Sequence, residues 1–182
     1  KVFINYYNNA ISKKQSNLDA ISISSFNKKS NEVDSRYVNL KYITNDEFIF
    51  FTNYESQKAL AFNKHNQIAA VIYWPNINVQ IRMKAFIKKT SYACNQKYFF
   101  NRSEEKNALS ISSNQSKLID SYKQVKENYN KSLKNDDLKK CPVYWGGYSF
   151  TPYYFEFWEG HESRINKREV FEKIDGVWKQ TF

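Results

Sequence analysis

Residues 145–168 have the sequence WGGYSFTPYYFEFWEGHESRINKR, which carries more information about the fold than any other part of the chain. It contains two of the four tryptophans, three of the four glycines and two arginines, Arg164 and Arg168. The chain has 28 basic residues but only five arginines, so Lys is its default basic residue. An arginine here indicates a task that Lys performs poorly, such as binding a carboxylate or phosphate with a planar guanidinium.

The composition predicts a single globular domain spanning residues 1–182. Aromatic residues make up 18% of the chain, which argues against disorder, and 14 Tyr and 14 Phe favour β-strands. Neither a membrane-spanning run nor a signal peptide is recognisable, so we expect a cytoplasmic protein with no membrane partner. Cys94 and Cys141 are the only cysteines and support neither a disulfide framework nor a cysteine zinc site, so we expect no metal.

The net charge of +10 raises nucleic acid as a possible partner. The lysines are dispersed, however, and no basic run is longer than two residues, so we favour a protein that binds no nucleic acid. A positive field suits equally well an enzyme whose cofactor and substrate both carry phosphate. With four glycines the chain has neither a dinucleotide-binding nor a P-loop motif, so side chains must hold any phosphate.

Hydrophobic periodicity predicts a mainly antiparallel β-barrel with peripheral helices, a fold of the α+β class. Helices are predicted over residues 2–13, 55–65, 91–101, 103–111 and 117–134. Strands are predicted over residues 18–26, 37–43, 48–52, 67–74, 79–88, 143–158, 164–174 and 177–182. Residues 44–47 and 175–176 have the composition of hairpin turns.

One motif within residues 145–168 resembles a known family. Phe155-Glu156-Phe157-Trp158, five further residues, and then residues 164–168 are similar to the C-terminal signature of pyridoxine/pyridoxamine 5'-phosphate oxidases. The spacing matches without a gap, although Glu159, Asn166 and Lys167 replace residues that are usual there. The resemblance implies an FMN-binding split β-barrel, with residues 141–182 as the dimerisation and active-site segment.

Further segments resemble the family's FMN-binding motifs. Residues 36–41 are similar to Arg-x-Val-Leu-Leu-Lys, and the segments around Phe51 and Lys58 are similar to Tyr-Thr-Asn and Ser-Arg-Lys. The second pair lies where a strand ends and a helix begins, and helix N-termini favour anions. Without the resemblance, these residues would be edge charges and an ordinary capped helix. The implied cofactor contacts are Arg36, Tyr37, Val38, Asn39, Leu40, Lys41, Phe51, Thr52, Gln57, Lys58, Gln80, Gln115, Ser116, Trp158 and Arg168.

A second set of residues resembles the family's substrate-binding positions. Tyr98 and Arg102 lie on one helical face, and Lys106 stands where the family has Ser; in the family, these positions bind the substrate phosphate. From the residues alone, an Arg102 paired with Glu104 or Glu105 on a surface helix is the alternative. The implied substrate contacts are Lys41, Tyr98, Arg102, Lys106, Arg164, Ile165 and Asn166, with Arg164 as the catalytic candidate.

The resemblance implies FMN-dependent oxidation of pyridoxamine or pyridoxine 5'-phosphate to pyridoxal 5'-phosphate, as part of vitamin B6 metabolism. The acceptor would be O2, the second product H2O2, and the enzyme a homodimer with FMN at its interface. Gln57, Lys106 and Asn166 depart from the family pattern at cofactor and substrate positions. Two alternatives therefore remain open: a related split-barrel flavoenzyme with another substrate, and an FMN-binding protein without this activity.

Overall fold

The structure is a computed structural model that describes residues 1–44, 46–113 and 118–181. Within these residues it contains five α-helices, one short 3-10 helix and nine strands. In chain order they are α1 (Val2–Ser12), β1 (Ala20–Asn27), β2 (Glu32–Asn39), β3 (Tyr42–Thr44), β4 (Glu47–Asn53), α2 (Gln57–Lys64), β5 (Gln67–Trp74), the 3-10 helix (Pro75–Ile77), β6 (Val79–Lys89), α3 (Tyr92–Phe100), α4 (Glu104–Ser112), α5 (Tyr122–Asn135), β7 (Trp145–Glu159), β8 (Lys167–Ile174) and β9 (Val177–Gln180).

The strand β7 organises the sheet. Its first half pairs with β4, its second half pairs with β8, and most of its length pairs with β6, always antiparallel. The sheet runs in the order β2-β1-β5-β6-β7-β4-β3, and β9 extends it from β8. Because one strand changes partners along its length, the sheet divides there and forms a split barrel with helices packed around it. The predicted fold class is confirmed.

Alternating residues of the strands form the core. In β6, for example, Val79, Ile81 and Met83 are buried while the residues between them are exposed or half-buried. Helix α1 covers one side of the barrel through Phe3, whose ring lies 5.1 Å edge-on from that of Phe48. Each such buried side chain contributes about 1.5–3 kcal/mol through the removal of apolar surface from water.

A buried polar network fixes α3 against β7. The Asn95 side-chain oxygen accepts hydrogen bonds from the Thr90 hydroxyl at 2.6 Å and the Gly147 N–H at 2.9 Å. Its amide nitrogen donates to the Tyr54 hydroxyl at 3.0 Å. A Cβ at Gly146 would lie 2.2 Å from that hydroxyl. The absence of a side chain at Gly146 therefore allows α3 to approach the sheet, which positions the residues at the end of that helix.

The boundaries of most predicted elements agree with the structure, but the strand predicted over residues 37–43 is wrong. The chain there forms β2 and β3 instead, because it leaves its pairing with β1 and joins β4. At this crossing, the Leu40 N–H donates to the Asp19 carbonyl and the Lys41 N–H donates to the Ile49 carbonyl, both at 2.8 Å. Both predicted hairpins form, with Asn45 outside the described residues.

Two other predicted boundaries are corrected. Strand β8 begins at Lys167, three residues later than predicted, because Arg164 adopts a φ of +62°, which a strand does not allow. Helix α5 begins at Tyr122, with Ser121 as its N-cap, whereas the prediction began at Lys117, which lies outside the described residues. Across the described ranges, each helix is too short or too polar to cross a membrane.

Candidate functional site

A cavity of about 720 Å³ lies between β2, β4, the start of α2 and the corner between α3 and α4. Among the described residues that line it, four are basic, namely Lys41, Lys58, Arg102 and Lys106, and none is acidic. Ten lining residues belong to the predicted cofactor and substrate sets: Tyr37, Val38, Asn39, Lys41, Phe51, Thr52, Lys58, Tyr98, Arg102 and Lys106. The structure thus brings the predicted cofactor segments around residues 36–41 and 51–58 together with the predicted substrate segment 98–106.

Lys58 lines one side of this cavity, and Arg36 lies near Lys58 without lining the cavity. Burial, and to a smaller extent the nearby charge of Arg36, lowers the pKa of Lys58, while Asp34 acts in the opposite direction. Arg36 is held in place because it donates to the Ser25 hydroxyl at 2.8 Å and pairs with Asp34. Burial and the repulsion from Arg36 both destabilise the charged form of Lys58. An anion that binds there would offset both effects.

The start of α2 supplies further groups that fit a phosphate. Ser56 is fully buried, and its hydroxyl has no hydrogen-bond partner within the described ranges. It is the N-cap residue of α2, yet its side chain forms no capping hydrogen bond. The first backbone N–H groups of a helix have no partner within the helix and attract anions. The helix start and Lys58 therefore fit the phosphate of FMN, and the orphaned Ser56 hydroxyl lies at the same helix start without lining the cavity.

Three stacked aromatic rings form one wall of the cavity. The ring of Phe51 lies 3.8 Å from that of Tyr98 and 5.3 Å from that of Trp145, with interplanar angles of 14° and 13°. Tyr42 packs edge-on against Tyr98 at 5.6 Å. Burial raises the pKa of Tyr98, so its hydroxyl stays protonated near neutral pH and can donate a hydrogen bond.

Arg102 lies on this wall with its guanidinium 4.7 Å from the centre of the Trp145 ring. It donates to the Ser110 hydroxyl at 3.0 Å and to the Lys106 carbonyl at 3.3 Å. Burial lowers the pKa of Arg102, although arginine remains charged in proteins. Within the described ranges it forms no ion pair, and Glu104 instead pairs with Lys139 at 3.7 Å. The alternative of an Arg102 neutralised by Glu104 or Glu105 is therefore wrong.

Some of the predicted residues that do not line the cavity form a second group. Gln80, Trp158 and Arg168 are register neighbours across β6, β7 and β8, so they form one row on the sheet. In the loop before β8, the Arg164 N–H donates to the His161 carbonyl at 2.9 Å. The side-chain oxygen of Asn166 accepts from the His161 N–H at 3.0 Å, which closes that loop.

Several other predicted contacts are placed individually. Ile165 and Arg164 are exposed in the loop before β8, and Gln57 is exposed as the first residue of α2. The Leu40 side chain is buried in the core and does not line the cavity. Lys41 lines the cavity and also pairs with Asp19 at 3.0 Å. Gln115 and Ser116 lie outside the described residues.

Sequence reasoning missed two side chains that hold Arg102. Trp145 provides the ring beneath the guanidinium, and Ser110 accepts its hydrogen bond. Trp145 is the first residue of the stretch 145–168 and precedes two glycines, and this position was an available signal that the ring has a structural or functional role. Ser110 gives no such signal, because its distance of eight residues from Arg102 becomes short only through the turn between α3 and α4.

The fold and the cavity define a split-barrel protein with a cationic ligand-binding cavity. A family model described as the pyridoxine 5'-phosphate oxidase C-terminal dimerisation region matches residues 145–182. The pyridoxine/pyridoxamine 5'-phosphate oxidase 1 of Hydrogenovibrio crunogenus is 30% identical over 183 aligned positions, which cover 98% of this chain and 84% of that protein. The chain belongs to the pyridoxine/pyridoxamine 5'-phosphate oxidase family.

Solved structures support the same fold. PhzG from Burkholderia lata 383, solved in complex with tetrahydrophenazine-1-carboxylic acid, matches with a TM-score of 0.93 at 21% identity, covering 99% of this chain and 89% of that one. A pyridoxamine 5'-phosphate oxidase-related, FMN-binding protein from Nostoc punctiforme matches with a TM-score of 0.80 at 12% identity, covering 97% and 94%. At these identities the matches show the split-barrel fold.

Proposed function

We propose that this chain is an FMN-dependent oxidase that converts pyridoxamine or pyridoxine 5'-phosphate into pyridoxal 5'-phosphate, with O2 as acceptor and H2O2 as second product. The observation that carries this proposal is the cavity with four basic and no acidic side chains among its described lining. Lys58 lies on α2, whereas Arg102 and Lys106 lie at the corner between α3 and α4. Two separate cationic groups match a pair of ligands that each carry a phosphate.

The α2 side of the cavity would hold the cofactor. Lys58, Arg36 and Thr52 would bind the FMN phosphate, together with the N–H groups that begin α2. Bound FMN would supply the chemistry that side chains lack, by accepting a hydride from the substrate and passing the electrons to O2. The contribution of the protein is to hold the two ligands together and exclude water.

The α3–α4 side would bind the substrate phosphate. Arg102 is already oriented by the Trp145 ring and the Ser110 hydroxyl, so little side-chain freedom is lost when a phosphate binds. Tyr98 would donate a hydrogen bond, and Lys106 would contribute a point charge where relatives have a hydroxyl. Lys41 would contact the substrate phosphate only if its ion pair with Asp19 is broken or shared with the phosphate.

A homodimer would complete the site. Gln80, Trp158, Arg168 and Arg164 do not line the cavity of their own chain. We propose that they reach the cavity of a second protomer, where the first three frame the flavin and Arg164 positions the reacting carbon. The match to a family model described as a dimerisation region supports this arrangement.

A spectroscopic experiment tests the proposal. The protein is reconstituted with FMN, and pyridoxine 5'-phosphate is added without oxygen while the flavin absorbance is recorded. We expect bleaching that reverses when air is admitted. A reconstituted protein that binds no FMN would contradict the whole proposal.

A second candidate is a related flavoenzyme with another substrate. It is favoured by Lys106, which adds a charge to the cavity lining, and by Asn166, whose side chain is engaged in closing its own loop. In the same experiment, flavin that binds but stays oxidised with pyridoxine and pyridoxamine 5'-phosphate would contradict the first assignment and support this one.

A further inference from the structure

Glu156 is the only charged residue that is buried in the described part of the chain. It lies on β7 directly opposite Arg82 of β6, and its side chain is 7% exposed. An ionised carboxylate is costly to remove from water and persists in a protein interior only when charged or hydrogen-bonded partners compensate it. The identity of those partners therefore indicates what the residue is for.

Three side chains contact this carboxylate, one each from the adjacent strands β6, β7 and β8. Arg82 donates to both of its oxygens, at 3.1 and 3.3 Å, and the Tyr154 hydroxyl donates at 2.9 Å. The Nε of Arg168 on β8 lies 3.8 Å from one of the two carboxylate oxygens. Arg82 alone would neutralise Glu156, so the second arginine is more than a buried ion pair requires.

The two terminal nitrogens of Arg168 remain available to bind a ligand in this arrangement. Its contact with Glu156 is made through Nε, and its side chain is 59% exposed. Neither of its terminal nitrogens has a hydrogen-bond partner among the described residues. The guanidinium is thus anchored at one edge, while the edge that can grip an anion or a carbonyl stays available.

Register connects this anchor to the row of predicted flavin contacts. Arg168 lies opposite Trp158, which lies opposite Gln80. Glu156 is two residues from Trp158 on the same strand, so both side chains lie on the same face of the sheet. A change at Glu156 therefore acts on this row through its contact with Arg168.

We propose that Glu156 is a positioning residue that orients Arg168 for the flavin, and that Arg82 and Tyr154 hold the carboxylate in place. The inference rests on the proposed function, because the ligand that Arg168 would bind is FMN. An anchored guanidinium loses less conformational freedom on binding, and this gain should appear as FMN affinity.

The test is a double-mutant cycle on FMN affinity, measured from the quenching of flavin fluorescence as apoprotein is titrated. We expect Glu156→Gln and Arg168→Gln each to weaken FMN binding about tenfold. The double variant should bind no more weakly than Arg168→Gln alone, because the effect of Glu156 passes through Arg168. Glu169→Gln is the matched control and should bind FMN like the wild type, since Glu169 neighbours Arg168 but pairs with Lys167 at 2.9 Å.

Two results would overturn the inference alone: wild-type affinity in Glu156→Gln, or losses that add in the double variant. A wild-type protein that binds no FMN would instead overturn the proposed function together with this inference. Thermal unfolding of each variant checks folding. If Glu156→Gln does not fold, Tyr154→Phe takes its place in the cycle and should show a smaller loss that likewise disappears when Arg168 is replaced.

Discussion

At the scale of single residues, Lys58 illustrates how a binding site costs stability. Burial and the neighbouring Arg36 lower its pKa, so the folded chain binds the Lys58 proton less strongly than the unfolded chain does. A charged Lys58 therefore destabilises the folded apoprotein at neutral pH. This cost is fully present below the folded pKa and disappears as the pH rises towards the unfolded value. An anion in the cavity would offset it.

We predict that Lys58→Met stabilises the apoprotein and weakens FMN binding. The apolar side chain fills the same space without a charge, so the melting temperature of the apoprotein should rise. Loss of a phosphate contact should lower FMN affinity about tenfold or more. Differential scanning calorimetry and fluorescence titration measure the two effects.

Lys64→Met provides the control, because Lys64 is exposed in the last turn of the same helix. It should leave FMN affinity unchanged. The interpretation of Lys58 would be contradicted if its replacement lowered the stability of the apoprotein, or if both variants changed FMN affinity equally.

At the scale of elements, the sequence predicted what depends on local pattern and missed what depends on partners. The long strand β7 was predicted over residues 143–158 and spans Trp145–Glu159, but its central place in the sheet was not predicted, because it depends on the strands that pair with it. The break between β2 and β3 was not predicted either, because it arises where the chain changes from β1 to β4. The loop conformation of Arg164 was equally hidden, since a positive φ is unusual for arginine.

The candidate site shows the same division. The first cofactor segments and the α3–α4 segment were predicted, and the structure places them around one cavity. Two features of the packing could not be predicted: that the Trp145 ring lies beneath Arg102, and that the Ser56 hydroxyl is buried without a partner among the described residues. Both depend on how separate elements pack, and no spacing in the sequence reports that packing.

Packing between elements also predicts a role for Gly146. Replacing Gly146 with Ala would place a methyl group against Tyr54 and Asn95, at 2.2 and 2.3 Å from their nearest atoms. We expect α3 to be displaced and the free energy of unfolding to fall by about 1–3 kcal/mol. Urea unfolding measures the loss of stability. Hydrogen exchange should show faster exchange in residues 92–100.

Gly176→Ala separates this local effect from a general loss of stability. Gly176 has a φ of +80° in the β8–β9 turn and open space around its Cα, so Ala there is strained but touches nothing. It should lower stability modestly and leave exchange in α3 unchanged. Equal exchange in α3 for both variants would contradict a specific role for Gly146.

At the scale of the whole molecule, the two groups of predicted residues raise a question of assembly. The cavity group lies on β2, β4, α2 and the α3–α4 corner, whereas the second group lies on β6, β7, β8 and the loop before β8. One chain does not place both groups around its cavity. If both groups serve one reaction, as proposed, the second group has to come from another copy, and each protomer then carries half of two sites.

This arrangement predicts that two inactive variants restore activity together. Arg102→Ala removes the cavity group's arginine, and Arg164→Ala removes the loop arginine. Each homodimer should be nearly inactive. In a heterodimer, one site receives both damaged residues and the other receives neither. With random assembly at equal amounts, we expect about one quarter of the wild-type oxidase activity, because half of the dimers hold one intact site.

Co-expression of the two variants with different affinity tags allows the heterodimer to be isolated by two purification steps and assayed directly. The isolated heterodimer should then have about half of the wild-type activity per dimer, because one of its two sites is intact. A heterodimer as inactive as the parent variants would show that each site is built from one chain. Failure to recover any doubly tagged species would contradict the dimer itself.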